Sequence, residues 1–239
     1  MSTILRTDDL VKTFSGVVAT DNLEYQMDAG EIGCVIGPNG AGKTTFFNLI
    51  TGTLSPDSGA VYFDGDDITG MKVHEIARRG IVRKYQTPSV YAEMSLRRNI
   101  RIAFGENKPA DKDRRLHEIL DLVDLTGRAD DKAGALDHGS KQWLEIGMVL
   151  ANNPKLILLD EPTAGMTSEE TRRTADLITN INQEEGVSII VIEHDIEFVR
   201  QLSSRVTVLH QGSVLAQGKI SEMEENDDVQ RVYLGGEYE

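Results

Sequence analysis

The sequence predicts an α/β protein, and three observations predict it. Short apolar runs, Ile32 to Ile36, the LILL before Asp160 and the SIIVIEH that His194 ends, have the length and composition of buried strands, and helically spaced segments lie between them. Three glycines in six positions, Gly37, Gly40 and Gly42, separate the first run from an apolar-periodic segment, Lys43 to Ile50, giving the order strand, tight loop, helix. At 239 residues the chain can bury a sizeable core, as one large domain or a core with a subdomain.

The first junction reads GPNGAGKTT and has the phosphate-binding pattern G-x-x-x-x-G-K-[ST]. Its loop is Gly37, Pro38, Asn39, Gly40, Ala41 and Gly42, with Lys43, Thr44 and Thr45 opening the helix. Without Cβ atoms at the glycines the loop can curl so that backbone N–H groups and the helix N-terminus face a polyphosphate. Lys43 then neutralises the β- and γ-oxygens. Thr44 offers its hydroxyl to Mg²⁺, which keeps several waters and otherwise prefers phosphate and carboxylate oxygens. A glycine-rich turn with no ligand would explain the loop, but not the Lys-Thr pair that follows it.

A phosphate loop alone fits a kinase, a GTPase or an ATPase. The discriminating residues stand in KLILLDEPT, Lys155 to Thr163. Four apolar residues leading to Asp160 make a buried strand whose carboxylate emerges at the C-terminal edge of the sheet, where phosphate loops also sit. Asp160 can hold Mg²⁺ there through water, and Glu161 is placed to orient or deprotonate an attacking water. In isolation an acidic turn after a core strand reads as well; the loop upstream favours the catalytic pair.

Composition removes other functions. Asp and Glu number 39 against 25 Lys and Arg, and the formal net charge of −14 repels nucleic acid and anionic lipid. The single cysteine, Cys34, permits no intramolecular disulfide, and its place in the strand entering the loop predicts a packing role in a reducing compartment. MSTILRTDDLVKTF lacks the basic start and apolar core of a signal peptide, and no run approaches the roughly 18 apolar residues of a membrane span, so a soluble cytosolic protein is expected. No internal repeat is visible. GENKPADK, Gly105 to Lys112, is the most linker-like stretch, and EMEENDD, Glu222 to Asp228, reads as a solvated face.

GPNGAGKTT, the glutamine in KYQTPSVY, LDHGSKQ, LILLDEPT and IEHD occur in the order found in the ATP-binding subunits of ABC transporters, which the chain resembles over essentially its whole length. KQWLEIGM, DEPTAGMTSEET, VIEHDIEFVR and the ending VYLGG are most similar to the branched-chain amino acid and urea importers, with the urea branch nearest. The resemblance implies a single ABC ATPase domain over 1–239. Its P-loop NTPase core and antiparallel β subdomain take 1–86 and 154–218, an inserted helical subdomain with the signature takes 87–153, and a helical tail takes 219–239. Ser95 to Ala103, Arg114 to Val123 and a segment beginning near Gly139 and running through Trp143, Ile146 and Leu150 carry spacing that fits the insert. Trp143 at this spacing reads as a core anchor.

Site roles follow from the same resemblance, with ATP and Mg²⁺ as the cofactors. Phe14, in KTFSG, matches an aromatic ring stacked on adenine, although by itself it reads as core. Gln86 matches the glutamine that reaches Mg²⁺ and the attacking water while its loop touches the membrane subunit. His194 matches the histidine that contacts the γ-phosphate, and Ala164 to Thr167 matches the loop that crosses to the partner, with Thr167 where many members have Asp. Leu136, Asp137, His138, Gly139 and Ser140 stand where the signature LSGGQ covers the ATP of the other subunit in a head-to-tail dimer. Implied partners are two membrane permease subunits, a second ATPase subunit, identical or related, and indirectly an extracytoplasmic solute-binding protein. The implied place is the cytoplasmic face of the membrane, and the implied cargo is urea, an amide or a branched-chain amino acid. Two other readings stay open: a soluble ABC ATPase not tied to transport, and a regulatory subunit with weak hydrolysis. Glu161 and His194 argue against the second.

The sequence departs from the family at the signature. An ionised Asp137 about 4 Å from a phosphate charge would be repelled by about 4 kcal/mol at an effective dielectric near 20, more than one neutral hydrogen bond contributes. Either Asp137 is protonated, or it turns away while His138 donates, or the site it completes is slow. The third is the expectation, in an asymmetric pair with a different ATPase subunit.

Overall fold

The structure is a computed structural model that describes residues 2–84, 90–104, 109–202 and 205–234. Two long strands, β1 (Thr3–Phe14) and β2 (Val17–Asp28), open the chain as a hairpin whose two-residue loop, Ser15 and Gly16, has positive φ at both positions, 46° and 89°. That backbone matches the right-handed twist of the strands it joins. Strand β3 (Ile32–Ile36) runs through the glycine loop into helix α1 (Lys43–Ile50), at the predicted boundaries. Strands β4 (Ser58–Phe63) and β5 (Asp66–Asp67) return to the hairpin and complete an antiparallel sheet in the order β2-β1-β4-β5.

Helix α2 (Val73–Arg79) and strand β6 (Ile81–Lys84) lead to three helices, α3 (Leu96–Ala103), α4 (Lys112–Leu122) and α5 (His138–Leu150). Side chains fix where these begin. Ser95 Oγ accepts the N–H of Arg98 at 3.3 Å and starts α3, and Asp111 accepts the N–H of Arg114 at 3.0 Å. The second cap is why α4 begins two residues before the predicted Arg114. The chain continues with β7 (Leu156–Asp160), α6 (Ser168–Glu185), β8 (Ser188–Ile192), α7 (Ile196–Leu202), β9 (Arg205–His210), β10 (Ser213–Gly218), α8 (Ile220–Glu224) and α9 (Asp227–Leu234).

The second sheet has the order β10-β9-β3-β8-β7-β6, parallel throughout except for β10. Successive side chains point to opposite faces, so each strand feeds two cores. Cys34, Ile36, Ile157, Leu159, Ile189 and Val191 pack with Leu120, Trp143, Ile178 and Phe198 of the helices. Val35, Leu156, Leu158, Ile190 and Ile192 pack with Phe46 and Phe47 of α1 and with Leu5, Leu23 and Phe63 of the antiparallel sheet. Burial on both faces explains why these strands read as unbroken apolar runs. Trp143 is the expected core anchor: it is buried, and its indole N–H donates to Thr174 Oγ1 at 2.9 Å.

The acidic run near the C-terminus does more than face solvent. It is divided between α8 and α9, where Glu222 accepts the N–H of Lys219 at 2.8 Å and Glu224 pairs with Arg200. Among the described residues no helix is long and apolar enough to cross a membrane.

Candidate functional site

Strand register assembles the site. Val35 of β3 lies beside Ile192 of β8, and Ile192 beside Asp160 of β7. The loop after β3, the turn after β8 and the carboxylates after β7 therefore share one end of the parallel sheet. There Asn39 to Thr45, Asp160 and Glu161, together with Ala19 and Ile192, line a cleft of about 310 Å³.

Neighbouring backbone demands two of the loop glycines. Gly37 has φ 154° and Gly42 φ 102°, and a Cβ would stand 2.2 Å from the Leu209 carbonyl oxygen at Gly37 and 2.5 Å from that of Ala19 at Gly42. Gly37 and Pro38 do not line the cleft; their carbonyls accept the Lys43 ammonium at 2.5 and 3.0 Å. Burial pushes the Lys43 pKa below its usual value, while the carboxylates of Glu161 and Asp160 pull it back up.

Arg83 of β6 donates to Asp160 Oδ2 at 2.5 Å and to Asn48 at 2.7 Å, and lies 5.4 Å over the ring of Phe47. One oxygen of Asp160 is thus fixed from the strand beside it. Glu161 follows with φ 45°, and its N–H donates to the Ile192 carbonyl at 3.0 Å. A non-glycine residue held there costs about 1–3 kcal/mol and persists only where its surroundings fix it. The left-handed step turns the Glu161 side chain away from the strand, to within 3.8 Å of His194 Nδ1.

His194 does not end its strand as the sequence reading had it. Strand β8 stops at Ile192, because the next carboxylate, Glu193, folds back to accept the N–H of His194 at 3.1 Å and turns the chain. The imidazole is 69% exposed at the rim. Phe14 ends β1, is 41% exposed and lies outside the cleft lining, with Lys12 Nζ 5.7 Å over its ring. Gln86 lies outside the described residues.

The signature stands apart from this cleft. Leu136, Gly139 and Ser140 are buried, while Asp137 and His138 are exposed. Asp137 is the N-cap of α5: one carboxylate oxygen accepts the N–H of Ser140 at 2.7 Å, and the other accepts the Ser140 hydroxyl at 2.9 Å and lies 3.6 Å from Arg128. The Ser140 N–H above all holds the Asp137 carboxyl below the usual range. In the chain by itself these donors favour the ionised carboxylate. His138 Nε2 sits 3.0 Å from the Ala164 carbonyl oxygen, in the segment that follows Glu161.

Sequence reasoning missed Ala19, Ile192, Arg83 and Glu193. A charged pair directly after two apolar residues, Arg83 and Lys84 after Ile81 and Val82, and a carboxylate directly after four apolar residues, as at Glu193, are the signals that mark two of them.

Residues 20–164 match the ABC transporter family. The chain belongs to that family. Its fold, an α/β P-loop NTPase fold, is that of solved ABC cassettes. The ADP conformation of an ATP-binding cassette of an ABC transporter superposes with a TM-score of 0.88 at 31% identity, over 98% of this chain and 100% of that one. A dimeric ATP-binding cassette in a post-hydrolysis state, bound to ADP and Pi, matches with a TM-score of 0.78 at 26% identity, over 91% of this chain and 99% of that one. The high-affinity branched-chain amino acid transport ATP-binding protein BraF of Pseudomonas aeruginosa is 34% identical over 249 residues, 97% of this chain and 98% of that protein. This ABC chain is accordingly an ATPase cassette.

Proposed function

We propose that this ABC cassette is the ATP-hydrolysing motor subunit of an importer of a small polar solute, acting through two separate permease subunits and, indirectly, a solute-binding protein. The names of its relatives favour a branched-chain amino acid as cargo, with urea or an amide as the other reading. The observation that carries the reading is the convergence of Lys43, Thr44, Asp160 and Glu161 on one cleft at the end of a parallel sheet. Lys43 and the loop N–H groups bind the phosphates, Glu161 takes the proton of the attacking water, and His194 and Gln86 orient the reacting groups. Phe14 stacks on the adenine ring. The helical unit 87–153 and the tail 219–239 complete the domain, which works at the inner face of the membrane.

Mg²⁺ fits the donor set. The Thr44 hydroxyl and the Asp160 carboxylate are both hard oxygens that line the cleft. Among the described residues no group of three or more His, Cys, Asp or Glu side chains converges as an all-protein cage. Thr44 and Asp160 would hold the ion against the phosphates, whose charge it would neutralise.

The permease surface is assigned to the segment around Tyr91, which is 51% exposed. The buried Asn99 of α3 fixes its backbone, accepting the Tyr91 N–H at 2.8 Å and donating to its carbonyl at 3.2 Å. Tyr91→Glu is expected to leave ATP binding by the isolated chain intact and to weaken permease association. Full transport in that variant counts against this surface. For the function itself, the test is purification from membranes: the chain should come out with two permeases and hydrolyse ATP faster when the loaded solute-binding protein is added. Recovery only as a free ATPase overturns the importer reading in favour of a soluble one.

The second ATPase subunit, identical or related, sets what the signature does. The Asp137 carboxylate is already engaged by Ser140 and Arg128, so its repulsion of a partner's phosphate is reduced rather than abolished. Serine caps helices about as well as aspartate, so Asp137→Ser should leave α5 stable. Turnover should rise in the chain assayed alone and stay level when a related ATPase subunit supplies its own signature. Equal wild-type rates alone and mixed, with no gain from Asp137→Ser, remove the asymmetric pair.

A further inference from the structure

Glu193 is 1% exposed, and the hydrolysis scheme above gives it no part. It stands between Ile192, which lines the cleft, and His194. Its Oε1 accepts the N–H of Thr163 at 3.2 Å and the Thr163 hydroxyl at 2.6 Å, while its Oε2 accepts the N–H of His194 at 3.1 Å. Its own N–H donates to the Val35 carbonyl in the strand that feeds the phosphate loop, at 3.4 Å. A buried carboxylate needs such donors, and hydrogen bonds to an ionised acceptor are the strong ones. One side chain thus ties the turn after β7, which carries Glu161, to the turn after β8, which carries His194.

We propose that Glu193 is a positioning residue for ATP hydrolysis, holding the Glu161–Thr163 turn and the His194 turn in one fixed relation. Two observations give this strap its purpose. Glu161 adopts a left-handed backbone, which persists only when neighbouring contacts over-determine it, and Thr163 is the anchor two residues on. Glu161 and His194 approach to 3.8 Å from different strands, so their mutual aim depends on the bonds between the two turns: the backbone one from Glu161 to Ile192, and the side-chain ones that Glu193 makes to Thr163 and His194. The same turn presents the Ala164 carbonyl to His138, which extends the strap to the signature of the chain. This inference rests on the proposed roles of Glu161 and His194.

Thr163→Val removes the hydroxyl donor and keeps the shape. In the assembled transporter its kcat should fall roughly tenfold to a hundredfold, the scale of a misplaced catalytic group, with KM for ATP within about threefold of wild type. ATP binding by the isolated chain should not change, and Thr163→Ser should restore kcat. Glu193→Gln, whose amide can serve Thr163 or His194 with its one acceptor but not both, should show the same split between kcat and KM. A wild-type kcat in Thr163→Val, a failure of Thr163→Ser to restore it, or loss of the folded chain in both Thr163→Val and Glu193→Gln overturns the proposal. Glu161→Gln run beside them separates the two ideas: normal turnover there removes the catalytic reading itself, whereas lost turnover there with normal Thr163→Val removes only the strap.

Discussion

Glu161→Gln is expected to bind ATP as wild type does and to turn it over at least about a hundredfold more slowly, the scale on which a general base acts. The amide keeps the size of the side chain and leaves the backbone untouched, so the left-handed step at Glu161 and its bond to the Ile192 carbonyl should survive. What is lost is the capacity to take a proton beside a phosphate held by Lys43. The cleft contains a second carboxylate, Asp160, but one of its oxygens is bound by Arg83 at 2.5 Å, which makes it a poor substitute. Single-turnover hydrolysis in the assembled transporter, measured beside equilibrium ATP binding by the isolated chain, checks both halves. Retained turnover removes Glu161 from the role of base. Lost binding would mean that the residue shapes the phosphate site rather than acting on water.

The parts of this site that were legible in the sequence are those whose physics is local. The buried strands β3, β7 and β8 announce themselves because both faces of the parallel sheet are covered, and the loop between β3 and α1 does so because its glycines are forced by φ and by close backbone. Strand β1 was harder to read. Its alternation breaks between Thr7 and Leu10, where Asp9 takes φ 46° and the register against β2 slips, so its apolar residues change phase midway. Arg83 and Glu193 act on partners far along the chain, and only the pairing of β6 with β7 and of β7 with β8 brings them together. Asp137 shows a different failure. Its spacing to Ser140 is that of an N-cap, a local signal, but aligned to a signature motif it was treated as a free charge; the helix it starts already uses that charge.

Lys43→Ala should act at the earlier step and weaken ATP binding itself. The ammonium is half-buried and held by the carbonyls of Gly37 and Pro38, so it is positioned before any phosphate arrives and loses little freedom when one binds. Hydrogen bonds to charged groups are worth about 1.5–3 kcal/mol, which converts to at least about tenfold in affinity. The surroundings add to the loss. Asp160 and Glu161 both act on Lys43, and without its positive charge they would face an incoming polyphosphate with one fewer counter-charge in the cleft. The variant gives up the ammonium's bonds to the Gly37 and Pro38 carbonyls but keeps the backbone bonds from Ala41 to Pro38, from Phe46 to Gly42 and from Gly212 to Ala41, so the loop should keep its shape. Titration of the isolated chain with ATP, at matched ionic strength, should therefore show weaker binding with unchanged thermal stability of the apoprotein. Affinity equal to wild type would mean that the loop N–H groups hold the phosphates unaided, and the charge at Lys43 would need another purpose.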